Sequence, residues 1–398
     1  MLAKLARLSG GNAFAQLVNF IAISYVSRSV GPDEYGNYAL IISLSLIITA
    51  FVTLKGDNII YSCTKVQDLN EAIINLVGFI SRSVFVLIII SAIVACFDIY
   101  LGGILLIALL LSLLNSVIVV ASAYFIQEEK ISSHLKLLLI RPTLMLLMQV
   151  VLIIVSKTYI FLCLGKMIAD SLVALIRIKS TPAYHASASI ASIKIFLVKY
   201  KYYCLHGTSA SVLNIFNQQL ALIASPFIYN GFYTGHLGLA LSLVIAPIGI
   251  ILSPLRGLVI KKVSQDKPTL KSYTLYTLLL GMLAIIGYIV AYLATPYIVS
   301  NVWGDTWPYL VEVVTCLIIW PLSSLFSSYS YAVIISNSKQ RLLLSVEIIY
   351  LLIRATVISC YFLYSAEFMT YIVTIAIIGF TYNLIISLIG LREVIYDQ

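Results

Sequence analysis

The chain has 398 residues, 61% of them hydrophobic and only 10% charged, with a mean hydropathy of +1.03. Lys and Arg number 25 against 16 Asp and Glu, a formal charge of +9. A soluble domain carries about 25% charged and 45–50% apolar residues, so a soluble enzyme, a disordered chain and a disulfide-rich secreted module are excluded. The composition fits an all-α, polytopic membrane protein. About twelve helices of ~20 residues each would leave connections averaging about twelve residues, too short for a soluble domain.

Apolar windows broken by charge or by Gly, Pro and Asn predict the spans. The first two lie near residues 8–27 and 36–54, with a Gly31-Pro32-Asp33-Glu34-Tyr35-Gly36 turn between them. Leu8 to Val26 is too long for a signal-peptide core and no A-x-A site follows, so the first span is expected to be an uncleaved anchor. The third to sixth lie near 76–97, 103–126, 135–156 and 158–176, the third interrupted by Arg82. A long basic connector runs from Arg177 to Lys201. The last six lie near 203–228, 236–258, 273–295, 308–336, 342–364 and 367–390, the tenth holding Pro321 in a Ser-rich stretch.

Lys and Arg then orient the spans. With the N-terminus cytoplasmic, 20 fall in cytoplasmic segments and 2, Arg28 and Lys157, on the opposite side. That bias predicts an even helix number with both termini cytoplasmic, and it accounts for the net charge without nucleic acid. The connector divides the chain into halves 1–190 and 191–398, each an expected six-helix bundle. A shift of 199 residues pairs Gly36 with Gly235, Leu40 with Leu239, Ser43 with Ser242 and Leu44 with Leu243, the weak internal match of a duplication.

The six Cys and four His are dispersed, so neither a disulfide framework nor a metal site is expected. No catalytic motif and no cofactor-binding motif is present.

Charges inside the bilayer cost at least ~2.5–3.5 kcal/mol at a helix centre. Lys166 and Asp170 are four apart, and Glu347 and Arg354 seven apart, so each pair shares a helix face. They read as structural pairs or as part of a substrate or ion pathway. Arg28, Lys55, Arg82, Arg141 and Arg256 stand at or inside span edges, most without an acid nearby in sequence. Snorkelling to headgroups is one reading; a cationic cavity for a phosphate, with Arg354, is the other. Asn12, Gln16 and Asn19 stripe the first span, and Asn214, Gln218 and Gln219 the seventh. Such amides can bond sugar hydroxyls or glue helices together. Trp303, Trp307 and Tyr309 beside an outer loop read as an aromatic belt rather than a sugar-stacking platform.

Two stretches carry a family resemblance. Gly11-Asn12-Ala13-Phe14-Ala15-Gln16 through Ser27-Arg28-Ser29-Val30-Gly31-Pro32-Asp33-Glu34-Tyr35-Gly36-Asn37-Tyr38-Ala39-Leu40 resembles the opening of Wzx-type bacterial polysaccharide-repeat flippases. Val302-Trp303-Gly304-Asp305-Thr306-Trp307 to Ser336-Asn337-Ser338-Lys339-Gln340 is similar to that family's outer loop, long tenth helix and small polar turn. The resemblance implies the multidrug/oligosaccharidyl-lipid/polysaccharide exporter superfamily, with about 12 transmembrane helices in two six-helix bundles around a central cavity. It implies an undecaprenyl-diphosphate-linked oligosaccharide of O-antigen or capsule type, moved from the cytoplasmic to the periplasmic leaflet of a bacterial inner membrane. Membrane lipids, and a polymerase and chain-length regulator of the same lipopolysaccharide pathway, are the implied partners. Helices 1, 2, 7 and 8 line the family's cavity, which favours Arg28, Lys55 and Arg256. Family members often carry an acid where the seventh span has Asn214, Gln218 and Gln219, so ion coupling through that helix stays open.

Two other functions compete. A polysaccharide polymerase usually carries a large periplasmic loop, whereas the longest outer loop here is about 295–307. A drug/cation antiporter favours intramembrane acids, and the membrane-edge charges here are mostly basic.

Overall fold

The computed structural model describes residues 2–63, 65–128, 130–181, 188–201, 203–265, 268–336, 339–364 and 367–396; the side chains of 2–13, 62, 131, 206, 336 and 340, and of most residues from 246 to 265, lie outside the description. Each apolar window is helical, and all but the tenth fold largely into one long helix. In chain order these are α1 (Leu2–Val30), α2 (Pro32–Val52), the short α3 (Gly56–Ser62), α4 (Val66–Phe97), α5 (Ile99–Gln127), α6 (Ile131–Val155) and α7 (Tyr159–Lys179). The short α8 (Ile190–Lys199) follows, then α9 (Thr208–Ile228), α10 (Gly231–Gln265), α11 (Leu270–Val302), α12 (Leu310–Leu317), α13 (Ile319–Ser336), α14 (Gln340–Tyr364) and α15 (Phe368–Tyr396). No strand occurs among the described residues. Nine helical stretches there, with α12 and α13 taken together, are long and apolar enough to cross a bilayer. The other three windows coincide with α1, α9 and α10, so about twelve crossings fit the chain.

Local chemistry sets the breaks. Gly31 takes a left-handed φ of +82°, and Pro32, which has no N–H to leave unbonded, opens α2 with Asp33 and Glu34 in its first turn. Asp98 caps α5 by accepting from the N–H groups of Tyr100 and Leu101. The tenth window divides at Ile318, three residues before Pro321, whose missing donor cannot continue the helical ladder.

Packing groups residues 1–36 with 224–398 in one unit and 37–223 in another. This division differs from the sequence halves 1–190 and 191–398. The starts of α2, at Pro32, and α10, at Gly231, are offset by the same 199 residues as the internal match.

In the unit of residues 37–223, the short α3 and α8 plug a core with α4 and α5 around Ile59, Ile73, Leu76, Val120 and Phe196. Phe85, Val86, Ile89, Ile90 and Ile93 of α4 face outward. In the other unit α13 is central, and its serines bond Asn383 of α15: the Asn383 amide donates to Ser323 Oγ at 2.8 Å, and Ser327 Oγ donates back at 2.9 Å. Leu278, Leu279, Met282, Ile286, Ile289 and Leu293 of α11 face outward. Large apolar groups outside and hydroxyls and amides inside are what a hydrocarbon solvent selects, since helices gain nothing by hiding leucine from lipid.

Candidate functional site

Gly165 sets the geometry of the first charged cluster. A Cβ at this position would lie 3.0 Å from the Gln149 backbone, so only glycine lets α7 approach α6 this closely. The close approach brings three charges together within residues 37–223. Asp170, fully buried, receives a fork from Arg141, with Nε to Oδ1 at 2.7 Å and Nη2 to Oδ2 at 3.1 Å. Lys166 Nζ reaches the same carboxylate at 3.1 Å. Arg141 Nη2 also donates to Asn115 Oδ1 at 3.1 Å, and the Asn115 amide donates to Thr49 Oγ1 at 3.4 Å. Two cations therefore share one carboxylate. Side-chain exposure is 29% for Arg141 and 16% for Lys166 but 1% for Asp170, so the surplus positive charge lies toward the accessible side. Arg141 does have an acid within reach; α6 and α7 supply it across 29 residues of sequence.

The second cluster lies in the unit that includes residues 224–398. Arg354 is fully buried, with its guanidinium 4.4 Å from the Trp320 ring centroid and 4.7 Å from that of Tyr350. Glu347 is close enough to act on Arg354 electrostatically, and it accepts a 2.6 Å hydrogen bond from Tyr382. Enclosed by rings, Arg354 presents no open surface to a phosphate in this conformation.

The remaining candidates are dispersed. Arg28 is exposed in the last turn of α1, where a cation complements the helix dipole. Lys55 is half-buried at the head of α3 with φ +52°, directly after Leu54 at φ +50°. Two successive left-handed side-chain residues store strain of order 1–3 kcal/mol each, a feature concentrated at functional sites. Arg82 is exposed and donates to the Ala188 carbonyl at 2.7 Å, which ties α4 to the segment before α8. The side chains of Asn12 and Arg256 lie outside the described residues. Gln16 and Asn19 are half-buried on α1, and Gln16 Oε1 has no hydrogen-bond partner among the described residues. On α9, Gln218 donates to Asn214 at 2.7 Å, and Gln219 accepts from Ser43 of α2 at 2.8 Å. These last amides thus bond protein, as helix glue would.

The aromatic-belt expectation is corrected. Trp303 and Trp307 are 2% and 1% exposed, so these two rings face protein rather than headgroups, whereas Tyr309 is exposed. Trp303 donates to Ser27 Oγ at 2.7 Å, and Trp307 packs edge-on to Tyr35 at 5.9 Å and against His236 at 5.0 Å. An indole that is enclosed and bonded to α1 acts as a wedge.

Sequence reasoning missed Arg141 as an ion-pair member, together with Asn115 and Thr49. The available signal was Arg141-Pro142 inside an apolar window, which marks a charge that a neighbouring helix must satisfy.

No family model matches the sequence, nor does any curated protein sequence. Solved structures do resemble it. A multidrug resistance MATE family transporter of the MOP superfamily in an inward-facing conformation superposes with a TM-score of 0.68 at 10% identity, over 96% of this chain and 95% of that one. An outward-facing MATE transporter gives 0.57 at 12% identity, over 99% and 96%. A MOP superfamily transporter from Pyrococcus furiosus, described as having a binding pocket of reversed polarity, gives 0.51 at 12% identity, over 99% and 96%. At such low identity the likeness establishes architecture, and the chain has the fold of the MATE transporters of the MOP superfamily.

Proposed function

We propose that this protein is a flippase of the MOP superfamily that moves a polyprenyl-diphosphate-linked oligosaccharide from the cytoplasmic to the periplasmic leaflet of a bacterial inner membrane. Alternating access is the mechanism, supported by a fold shared with transporters solved in inward- and outward-facing conformations. The observation that carries the choice of cargo is the sign of the charge. Asp170 is outnumbered by Arg141 and Lys166, and Arg28 stands exposed at the end of α1. A diphosphate cannot enter hydrocarbon unaided. Arg28, Lys55 and Arg256 would replace part of its hydration, while the prenyl tail stays in lipid. Several weak contacts let cargo leave as well as bind. No step calls for a catalytic residue or a cofactor, so the reading is a transporter rather than a polymerase. Both termini are cytoplasmic in this reading, with polymerase and chain-length regulator as pathway partners.

Alanine at Arg28, Lys55 and Arg256 together should abolish surface glycan in a strain depending on this protein, at normal protein level. Arg256→Lys alone should retain part of it, because charge rather than a bidentate fork is the main demand. Undiminished glycan in the triple variant would refute the cationic route.

A drug/cation antiporter is the second reading, favoured by the description of the structural neighbours as multidrug transporters. It needs an accessible acid for cationic cargo, whereas Asp170 and Glu347 are both buried and engaged.

A further inference from the structure

Lys166 and Asp170 fall near the middle of the 21-residue α7, and Arg141 lies inside α6. Both helices are long and apolar enough to cross a bilayer, so the cluster sits at membrane depth. Its charges do not balance. A single carboxylate faces two cations, and among the described residues no other acid pairs with Arg141 or Lys166. One net positive charge is left where hydrocarbon makes an uncompensated charge costly.

The hydrogen bonds leave the same surplus. Arg141 Nε and Nη2 donate to Asp170, and Nη2 donates to Asn115 Oδ1 as well. The Asn115 amide donates in turn to Thr49 Oγ1, which keeps its oxygen toward the guanidinium. Arg141 Nη1 carries two further N–H groups, and these have no acceptor among the described residues. Lys166 Nζ carries three, and Asp170 is its one acceptor there. Arg141 Nη2 and Lys166 Nζ each lie 3.1 Å from Asp170 Oδ2, so they stand no farther apart than twice that distance. Both cations are partly exposed and the carboxylate is not, so an entering group meets the cations. Water could accept from the free N–H groups but would leave the charge in place. A monovalent anion does both: it accepts charge-assisted hydrogen bonds from the two side chains, and its single charge closes the count. A divalent anion would overshoot it.

We propose that Arg141 and Lys166 form a binding site for one monovalent anion of chloride or carboxylate size, with Asp170 as the fixed counter-charge that limits the site to a single negative charge. The charge count belongs to this chain's own residues and holds whether or not the cargo is a lipid-linked glycan. Dissolved chloride and a carboxylate on a passenger sugar share this chemistry.

The test reads thermal unfolding of the full-length protein in detergent while sodium chloride or sodium glucuronate replaces sodium sulfate at constant ionic strength. The parent protein should show a saturable rise in melting temperature with at least one of the two, because a ligand held by the folded state alone stabilises it. Three variants then vary the charge. Lys166→Met leaves the neutral Arg141–Asp170 pair and should need about tenfold or more anion for the same rise. Asp170→Asn adds a second surplus charge and should show a larger rise than the parent. Lys194→Gln removes an exposed cation of α8 and should respond as the parent does. Where Asp170→Asn does not purify, the contrast between Lys166→Met and Lys194→Gln decides. A steeper response to chloride identifies the free ion and a steeper response to glucuronate a sugar carboxylate; either upholds the site. A parent that responds to neither anion, as it would if Lys166 were uncharged, overturns the proposal. A rise that persists unchanged in Lys166→Met overturns it as well. The glycan assay on Arg28, Lys55 and Arg256 involves none of these residues, so the two readings fail separately.

Discussion

A carboxylate shared by two cations responds unequally to the loss of each partner. Without Lys166, Asp170 keeps the two-pronged Arg141 contact and stays neutralised. Without the carboxylate, two cations are left side by side in a membrane-spanning unit. Lys166→Met should therefore cost about 1 kcal/mol, and Asp170→Asn ~3–5 kcal/mol. Thermal unfolding in detergent measures the difference, and equal losses would sink the shared-carboxylate account. The i,i+4 spacing of Lys166 and Asp170 on one helix face was legible in the sequence. Arg141 was not, because its partner lies on another helix and no local spacing encodes the packing of α6 on α7. Similarly, Trp303 and Trp307 look the same in sequence whether they face headgroups or wedge between helices. Only their burial and the Ser27 hydrogen bond decide it.

Among the elements, the crossing of the start of α2 with α10 is the tightest constraint. A Cβ at Gly36 would come within 2.5 Å of the Gly231 carbonyl oxygen, and one at Gly235 would collide with the Pro32 carbonyl. The glycines paired by the internal match thus meet at one crossing, flanked by Tyr35, which hydrogen-bonds Ser242. Gly235→Ala should destabilise by ~1–3 kcal/mol in the same thermal assay, and Gly235→Val by more. Gly281→Ala is the control, since a Cβ there meets nothing within 4 Å; equal effects at the two positions would refute the close-packing argument. Helix existence was legible throughout, because long apolar windows interrupted by charge leave no other structure possible in lipid. The short α3 and α8 were not, since seven and ten residues fall below any transmembrane pattern and their burial depends on tertiary partners.

For the molecule as a whole, the distribution of Lys and Arg makes a topological prediction. Reporter fusions after Lys201 and after Asn301 should give opposite signals, cytoplasmic for the first and periplasmic for the second; the same signal at both would overturn the orientation. Fold class was legible from composition, since the hydrophobic excess admits only a bundle of spans. The role of each intramembrane charge was less so. A charge in a span announces that something must satisfy it, but the sequence does not say whether that is a neighbouring helix, as for Arg141, a pair of rings with a nearby acid, as for Arg354, or a ligand.

The odd charge of the Arg141–Lys166–Asp170 cluster also has an electrical meaning. A fixed net positive charge within the span of a membrane feels the transmembrane voltage. Any rearrangement that carries α6 and α7 along the membrane normal then does work of about 2.3 kcal/mol per elementary charge for each 100 mV crossed. Under the proposed flippase reading, an anionic passenger travelling in the same step would cancel part of that work. The loaded and unloaded journeys would thus respond differently to membrane potential, so that the voltage itself would favour one direction of the cycle.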